Sequence, residues 1–223
     1  MLVVRLVFQT AGLLALLTAL FFVPAGTIHA WPAWAYLGLF TVLSIVVSGW
    51  FLHADPKLLE RRLALGERGE QERTQRILQA LGAPAFFGIF VVAGLEWRWM
   101  PAHMPAWVVL TGDALVVIGL FVCFLVFGAN SFASSIVEIS KEQRVITTGP
   151  YALVRHPMYT GGLVFIAGTP LALGSVWAEA CFVPLFVLIV LRMLHEERFL
   201  SEKLPGYSEY MQKTRWRLVP GVW

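Results

Sequence analysis

The sequence predicts an all-α integral membrane protein, built as a single bundle of about six hydrophobic helices. Hydrophobic residues make up 58% of the 223 positions and charged residues only 14%, whereas an average soluble domain has roughly 25% charged residues. The mean hydropathy of +0.71 points the same way. A membrane bundle is therefore the first expectation for this chain.

Six apolar runs define the predicted helices. A spanning helix needs about 20 residues, so the first four runs are long enough to cross a bilayer. The last two are shorter and are separated by only a few residues, so we predict a tight helical hairpin and leave open whether it crosses fully. The runs are Val3–Val23, Ala33–Leu52, Leu78–Leu95, Pro105–Phe127, Tyr159–Leu173 and Trp177–Met193.

The start of the first run and the end of the last run decide how far these two helices extend. Arg5 followed by an apolar stretch is typical of a signal peptide, but Leu6–Val23 is longer than the usual 7–15 residues, so we expect a retained spanning helix. The last run continues through residues 191–200, which are good helix formers, until Pro205-Gly206 ends it. Residues 207–217 then form a short amphipathic tail.

The distribution of Lys and Arg predicts the orientation. Only Arg98 lies in a loop on the side opposite to the others, so the positive-inside rule places both termini and the long loops in the cytoplasm. The remaining basic residues flank the cytoplasmic ends of the runs: Arg5, Lys57, Arg61, Arg62, Arg68, Arg73, Arg76, Lys141, Arg144, Arg155, Arg192, Arg198, Lys203, Lys213, Arg215 and Arg217.

Two connecting segments have patterns of their own. Asp55–Gln75 is charged, with leucines at helical spacing, which indicates either an amphipathic helix on the inner membrane surface or a plain cytosolic connector. Ile136–Ile139 and Arg144–Thr147 flank a four-residue polar stretch and predict a short β-hairpin.

The polar stretch Thr147–Gly162 is the candidate site. Pro150 and Pro157 disfavour helix in the residues before them, and Gly161-Gly162 allow close approach of another backbone or a ligand. Irregular backbone at a membrane face normally lines a cavity, because lipid cannot satisfy its polar groups. An ordinary cytosolic loop is the alternative.

A second polar cluster follows the last apolar run. The predicted hairpin goes out and returns, so it brings Glu196 and Glu197 back to the side of Arg155, His156 and Tyr159. Arg192 and Glu196 are four residues apart and share a helix face. They form either a surface ion pair worth little or, because they emerge from lipid, a functional pair.

Other common sites are absent from the sequence. It contains no Rossmann, P-loop, H-E-x-x-H or G-x-S-x-G motif, and its basic loops lack the aromatics of a nucleic-acid module. Cys123 and Cys181 lie in apolar runs, so we predict neither a disulfide framework nor a metal site.

The polar residues together resemble the isoprenylcysteine carboxyl methyltransferase family, whose wider relatives are the membrane phospholipid N-methyltransferases. The resemblance is carried by Gly149-Pro150-Tyr151, by Arg155-His156-Pro157-Met158-Tyr159, by Glu196-Glu197 and by Tyr207, Tyr210 and Pro220. It covers roughly residues 130–223. A stretch at residues 130–135 is similar to bacterial members, so we expect a bacterial inner membrane.

The resemblance implies a two-part organisation. Residues 130–223 would be the methyltransferase core, with a loop at 130–158, the helical hairpin at 159–193 and a C-terminal helix and tail at 194–223. Residues 1–129 would supply N-terminal transmembrane helices with a cytoplasmic loop at 53–77.

The resemblance also implies a site for S-adenosylmethionine without a Rossmann fold. Because Arg192 lies at the inner end of the last apolar run, one turn before Glu196, we predict that Arg192 and Glu196 are catalytic and that Arg192 and Arg155 contact a lipophilic or lipidated substrate. The cofactor-binding residues implied are Tyr151, Leu153, Val154, His156, Tyr159, Glu196 and Glu197. The methyl acceptor stays open between a carboxylate, an amine and a thiol.

Two alternatives remain at this stage. A phospholipid amine could be the acceptor, in which case His156 or His195 would be the candidate base. A non-catalytic transporter or assembly protein is the other class, because Asp113 lies inside the fourth apolar run and buried acids often mark ion paths.

Overall fold

The protein is a bundle of helices in which one 3₁₀ turn and two short helices pack at one end. The structure, a computed structural model, describes residues 2–63, 73–100, 104–130 and 144–223. The α-helices are α1 (Leu2–Ala25), α2 (Trp31–Ala54), α3 (Pro56–Leu63), α4 (Arg73–Trp99), α5 (Ala106–Ala129), α6 (Pro157–Ala172), α7 (Phe182–Lys203) and α8 (Tyr207–Lys213). Two 3₁₀ helices lie at Gly149–Ala152 and Trp177–Cys181.

Within the part of the chain that the structure describes, five helical segments are long and apolar enough to span a membrane. They confirm the first four predicted runs, and the fifth is Trp177–Lys203 with 27 residues. The last run is therefore not short, because its 3₁₀ turn continues directly into α7, which ends at Lys203 as the Pro205-Gly206 pair predicts. Gly206 has a φ of +83°, a conformation that favours glycine. The short arm of the hairpin is α6, with 16 residues.

The predicted connecting segments are tested only in part. Pro56–Leu63 is a helix within the predicted amphipathic segment, whose residues 64–72 lie outside the described part of the chain. Ile136–Ile139, the first strand of the predicted hairpin, also lies outside it. Arg144–Thr147 is described and forms no strand, so the hairpin is not confirmed.

Helices α5 and α6 pack through glycines on both sides. A Cβ atom placed on Gly119 would lie 2.6 Å from the carbonyl oxygen of Gly161, and one on Gly168 would lie 2.7 Å from that of Gly112. Small residues let membrane helices approach closely and gain van der Waals contact. This interface fixes α6, and therefore the polar loop that precedes it, against the rest of the bundle.

The glycine interface gives a stability prediction. We expect Gly119→Ala to destabilise the protein by about 1–3 kcal/mol, because the added methyl group overlaps the backbone of α6. Gly128→Ala, on the same helix with no neighbouring atom within 4 Å of its Cβ position, is the matched control. Thermal unfolding in detergent measures both. Equal unfolding temperatures for the two variants would contradict the close packing.

The opposite end of the bundle is closed by a carboxylate. Glu96, near the end of α4, accepts hydrogen bonds from the backbone N–H groups of Val176 and Trp177, at 3.2 and 2.9 Å, and from the hydroxyl of Ser175. These N–H groups belong to the start of the last helical segment, where a negative charge is favourable. The contact ties α4 to the beginning of the helix that carries the two glutamates.

Candidate active site

The polar loop contains two turns, and each of them includes a proline. Gly149, with a φ of +59°, begins the 3₁₀ turn that carries Pro150 and Tyr151. His156 precedes α6 with a φ of −125° and a ψ of 58°, and Pro157 is the first residue of that helix. Proline suits this position because it has no N–H group to leave unsatisfied. The backbone therefore turns sharply and presents Arg155 and His156 to α7.

Glu197 is the centre of a buried ion cluster. Only 5% of this residue is exposed. Its two carboxylate oxygens accept from Arg155, through Nε at 3.0 Å and Nη2 at 3.2 Å, and from His156 Nε2 at 3.1 Å. Arg217 also reaches one of these oxygens, through Nε at 3.1 Å and Nη2 at 3.0 Å. A buried carboxylate needs such partners to offset the loss of its hydration.

All three nitrogens of the Arg155 guanidinium donate hydrogen bonds to the protein itself. In addition to its two bonds to Glu197, its Nη1 donates to the carbonyl oxygens of Thr214 and Arg215, at 3.0 and 2.9 Å. The guanidinium is also buried, with 6% of its side chain exposed. The structure therefore brings Arg155 into the cluster, but in contacts with the protein itself and not as an open binding group.

The C-terminal segment, residues 214–223, covers the loop. The backbone N–H groups of Arg155 and His156 donate to the carbonyl oxygens of Trp216 and Arg217, at 2.8 and 3.0 Å. Thr160 Oγ donates to the carbonyl oxygen of Leu218 at 2.8 Å. The sequence pattern did not predict this pairing. The two basic residues that flank Trp216, Arg215 and Arg217, were the available signal, and from the sequence alone they could not be distinguished from solvent-exposed charges.

Glu196 lies beside this cluster in a different setting. Tyr159 donates its hydroxyl hydrogen to Glu196, and Arg192 Nε donates to the same hydroxyl oxygen at 3.3 Å. All three side chains are only partly buried. The two neighbouring glutamates thus have different surroundings. Glu197 is enclosed by cations, whereas Glu196 lies in a more open region with Tyr159 and Arg192.

The remaining predicted residues line the loop. Leu153 is 65% exposed, whereas Val154 is buried with 5% exposed. Tyr151 is held by Asn130, whose amide donates to its hydroxyl at 3.0 Å, and by Tyr210, whose hydroxyl donates to its carbonyl oxygen at 2.7 Å. Burial raises the pKa of both tyrosines, so both hydroxyls keep their protons at neutral pH.

Two further residues near the site, Tyr207 and Gln75, were not among the predicted site residues, although Tyr207 is one of the residues that carry the family resemblance. The hydroxyl of Tyr207, on α8, is buried and has no hydrogen-bond partner in the described part of the chain. Burial and the nearby charges of Glu197 and Glu196 raise its pKa. Gln75, at the start of α4, contacts the backbone of α7 at Arg192. Among the described residues, no three His, Cys, Asp or Glu side chains come together in a way that could hold a metal ion.

Asp113 lies far from these residues along the bundle. Its neighbour Gly112 packs against Ala172, at the end of α6 opposite to Tyr159. At 1.5 Å rise per residue, the two ends of α6 are on the order of 20 Å apart. One oxygen of Asp113 is buried without a hydrogen-bond partner in the residues that the structure describes. The structure does not bring Asp113 into the cluster.

Comparison with known proteins finds matches over the part of the chain that carries these residues. The family model of phospholipid methyltransferases matches residues 107–205, which include the whole Arg155–Tyr159 stretch and both glutamates. Protein-S-isoprenylcysteine O-methyltransferase B of Arabidopsis thaliana is 27% identical over 166 residues, covering 73% of this chain and 79% of that protein. The chain is thus similar both to the phospholipid methyltransferase model and to protein-S-isoprenylcysteine O-methyltransferases.

Two other proteins that are similar to this chain carry different names. The cobalt-zinc-cadmium resistance protein CzcN of Cupriavidus metallidurans is 33% identical over 75 residues, which are 33% of this chain and 35% of that protein. The nickel-cobalt-cadmium resistance protein NccN of Alcaligenes xylosoxydans xylosoxydans is 26% identical over 102 residues, 45% of this chain and 48% of that protein. The chain thus spans less than half the length of these two relatives. The phospholipid methyltransferase model, which matches residues 107–205, does not extend to Gln75 or Arg217.

Proposed function

We propose that this integral membrane protein is an S-adenosylmethionine-dependent methyltransferase that methylates the carboxylate of a lipophilic substrate. The observation that carries the proposal is the chain of contacts from Arg192 through Tyr159 to Glu196. This chain lies where α7 leaves the apolar part of the bundle, next to the enclosed Glu197 cluster. Its position and residue types suit a reaction between a cationic methyl donor and a membrane-borne anion.

The residues present fit the cofactor. Its sulfonium and ammonium groups are cations and its ribose carries hydroxyls, which all favour a carboxylate partner. Glu196 is a partly exposed carboxylate, and Tyr207 offers a buried hydroxyl whose raised pKa keeps it a donor. The exposed Leu153 suits contact with the adenine face. When bound, the cofactor supplies an electrophilic methyl group.

We assign a positioning role to Arg155 and Glu197. All three nitrogens of the Arg155 guanidinium already donate within the protein, so substrate contact by this residue, as first predicted, finds no support in the geometry. Both oxygens of Glu197 are likewise occupied. Their function would be to hold His156 and the loop at 151–154, together with Tyr159, against α7. Tyr151, Val154 and His156 then form the wall of the cofactor site.

Arg192 is the residue that we propose orients the acceptor. A planar guanidinium can hold a carboxylate through two parallel hydrogen bonds and so fix its angle of attack. A carboxylate with a pKa of about 3.3–3.7 is ionised at neutral pH and needs no base. The enzyme then has mainly to align the reacting atoms at about 3–3.5 Å and exclude water.

The apolar part of the substrate has a candidate site within the bundle. A cavity of about 250 Å³ lies between α1, α2, α3 and α5. Cys123, which lines this cavity, also approaches the carbonyl oxygen of Met158 with its Sγ at 3.9 Å, next to Tyr159. We propose that the cavity holds the lipid tail. Its walls are mainly apolar and include Phe40, Val47, Phe51, Leu59, Phe124 and Phe127.

Filling this cavity should weaken binding of long-tailed substrates. Ser44 lines the cavity, so Ser44→Phe should exclude two or three methylene groups and raise KM by roughly tenfold or more. Ile45→Phe, at an exposed position of the same helix, is the control. The measurement is KM for a prenylated acceptor and for the same acceptor with a short alkyl tail. An equal rise for both tails, or in both variants, would place the tail elsewhere.

The chemistry of the product tests the proposed function. Purified protein in detergent is incubated with S-adenosylmethionine carrying a labelled methyl group and with a prenylated cysteine derivative that has a free carboxylate. A methyl ester is cleaved by mild base, so base-labile label in the lipid fraction is the expected result. Base-stable label formed on a phospholipid amine would favour the second candidate, which is suggested by the phospholipid methyltransferase model that matches this chain.

We also propose that the site faces the cytoplasm of a bacterial inner membrane. The five candidate spans alone would put the two ends of the chain on opposite sides, so the proposal requires the short α6 to add a sixth crossing that returns α7 to the side of the loop. The excess of Lys and Arg at that side supports the orientation. Labelling an introduced cysteine at Trp223 with a membrane-impermeant reagent measures it: protection in intact cells supports the cytoplasmic side, and labelling opposes it.

A further inference from the structure

Gln75 joins the first turn of α4 to the helix that carries the site. Its side chain is fully buried, with 0% of the residue exposed. The amide nitrogen Nε2 donates to the carbonyl oxygen of Arg192 at 3.2 Å and contacts Nδ1 of His195 at 3.0 Å. Gln75 thus contacts two residues of the same turn of α7, Arg192 and His195. The two residues between them are Met193, which is buried, and Leu194.

These two contacts select one tautomer of the neutral His195 ring. A backbone carbonyl oxygen can only accept, so the amide group that meets Arg192 must be the NH₂ group of Gln75. Its second hydrogen points to His195, and Nδ1 can receive that hydrogen only if it carries no proton itself. The neutral ring therefore carries its proton on Nε2. The amide oxygen of Gln75 is buried without a partner in the described residues, so the two NH₂ contacts are the ones that hold it.

We propose that Gln75 is a positioning residue for methyl transfer, which holds the Arg192–Glu196 turn and keeps His195 as an Nε2–H tautomer. This inference rests on the proposed function and sharpens its substrate class. With Nδ1 occupied and Nε2 already protonated, His195 in this tautomer cannot take a proton from an acceptor. His195 is thereby removed as the base that an ammonium acceptor would need, which favours an acceptor that is ionised before it binds, such as a carboxylate.

The tautomer can be measured without any turnover. Protein with ¹⁵N-labelled histidine is placed in detergent micelles at a pH where the rings are neutral, and the ring nitrogens are correlated with the ring carbon-bound hydrogens. His195 is assigned by its loss in His195→Gln. His53 gives an internal reference of the opposite kind, because its Nδ1 lies 2.9 Å from the carbonyl oxygen of Gly49 and must be protonated.

The variant Gln75→Met keeps the length of the side chain and removes both hydrogen bonds. We expect His195 to change from the Nε2–H form to a mixture of tautomers, turnover to fall about tenfold and S-adenosylmethionine affinity to stay within twofold. Gln79→Met, one turn further along α4 at an exposed position, should change none of these. If Gln75→Met unfolds, the wild-type spectrum alone decides the tautomer.

Three results would overturn the inference. They are a protonated Nδ1 on His195 in the wild-type protein, an unchanged His195 spectrum in folded Gln75→Met, and unchanged turnover in that variant. Failure of the proposed function gives a different pattern. In that case the wild-type protein would transfer no methyl group to any acceptor, while His195 would still show the Nε2–H tautomer.

Discussion

Glu197→Gln is expected to abolish methyl transfer and to destabilise the protein strongly. The carboxylate is the common acceptor for Arg155, His156 and Arg217, and the side chain is 7% exposed. Removing one partner of a buried ion pair costs about 3–5 kcal/mol, because it leaves uncompensated buried charge. Here the buried guanidinium of Arg155 would lose its counter-charge, and the loop that it anchors would lose its fixed position on α7.

Two measurements separate the effect of Glu197→Gln on stability from its effect on cofactor binding. Thermal unfolding in detergent reports the stability, and calorimetric titration with S-adenosylmethionine reports the site. Glu202→Gln, an exposed position on the same helix, is the matched control and should leave both unchanged. Arg217→Gln should have a smaller effect than Glu197→Gln, because the Arg217 side chain is 31% exposed and water can replace its contact. Wild-type stability in Glu197→Gln would contradict the account of the cluster.

Arg192→Lys is expected to lower turnover by about tenfold or more while cofactor affinity stays nearly intact. Each tenfold loss in rate corresponds to 1.36 kcal/mol of lost transition-state stabilisation. Lysine keeps the positive charge but loses the planar fork that would hold a carboxylate at a fixed angle. It also loses the Nε contact that places Arg192 against the Tyr159 hydroxyl.

The control for Arg192→Lys is Arg198→Lys, at an exposed position on the same helix. The measurement is kcat and KM for the lipophilic acceptor together with the Kd for S-adenosylmethionine. A fully active Arg192→Lys enzyme would mean that Arg192 merely reaches the lipid headgroups, since lysine does this as well as arginine. Tolerance of Arg192→Gln would favour an amine acceptor.

The sequence was sufficient to predict the spanning helices, which depend on the composition of stretches of about 20 residues. The apolar runs are set by the thickness of the bilayer, so four spans could be located directly and were confirmed. The helix that leaves the last run ends where Pro205-Gly206 predicts, because these residues disfavour further helix. The sequence leaves open whether the last run spans; Trp177–Lys203 is long and apolar enough to do so, and its continuation beyond residue 193 follows the prediction.

The candidate site could be predicted only as a set of residue types. The Arg155-His156-Pro157 and Glu196-Glu197 motifs do meet, as the hairpin requires. Their roles could not be predicted, because adjacent glutamates on one helix differ only in the direction that each side chain takes. The C-terminal segment contributes mainly backbone carbonyl groups to Arg155, and a carbonyl group has no signature in the sequence.

The division of the chain at residue 130 stays a proposal, and two contacts from the first part bear on it. Gln75 meets α7, and Cys123 meets Met158 at the loop. A neutral amide in a charged segment and a cysteine in an apolar run give no signal of their own before the structure brings them together. We therefore propose that the N-terminal helices do not merely anchor the core but also complete the site and hold the lipid tail.

Calorimetric titration of the folded protein with S-adenosylmethionine tests the central claim most directly, because it needs no knowledge of the acceptor. We predict one binding site per chain in the wild-type protein. Glu196→Gln should weaken it by about 10–150-fold, which corresponds to a lost charge-assisted hydrogen bond of roughly 1.5–3 kcal/mol. Glu209→Gln, exposed on α8, should bind as the wild type does. A folded wild-type protein that binds no S-adenosylmethionine, or a Glu196→Gln variant that binds it with full affinity, would contradict the account.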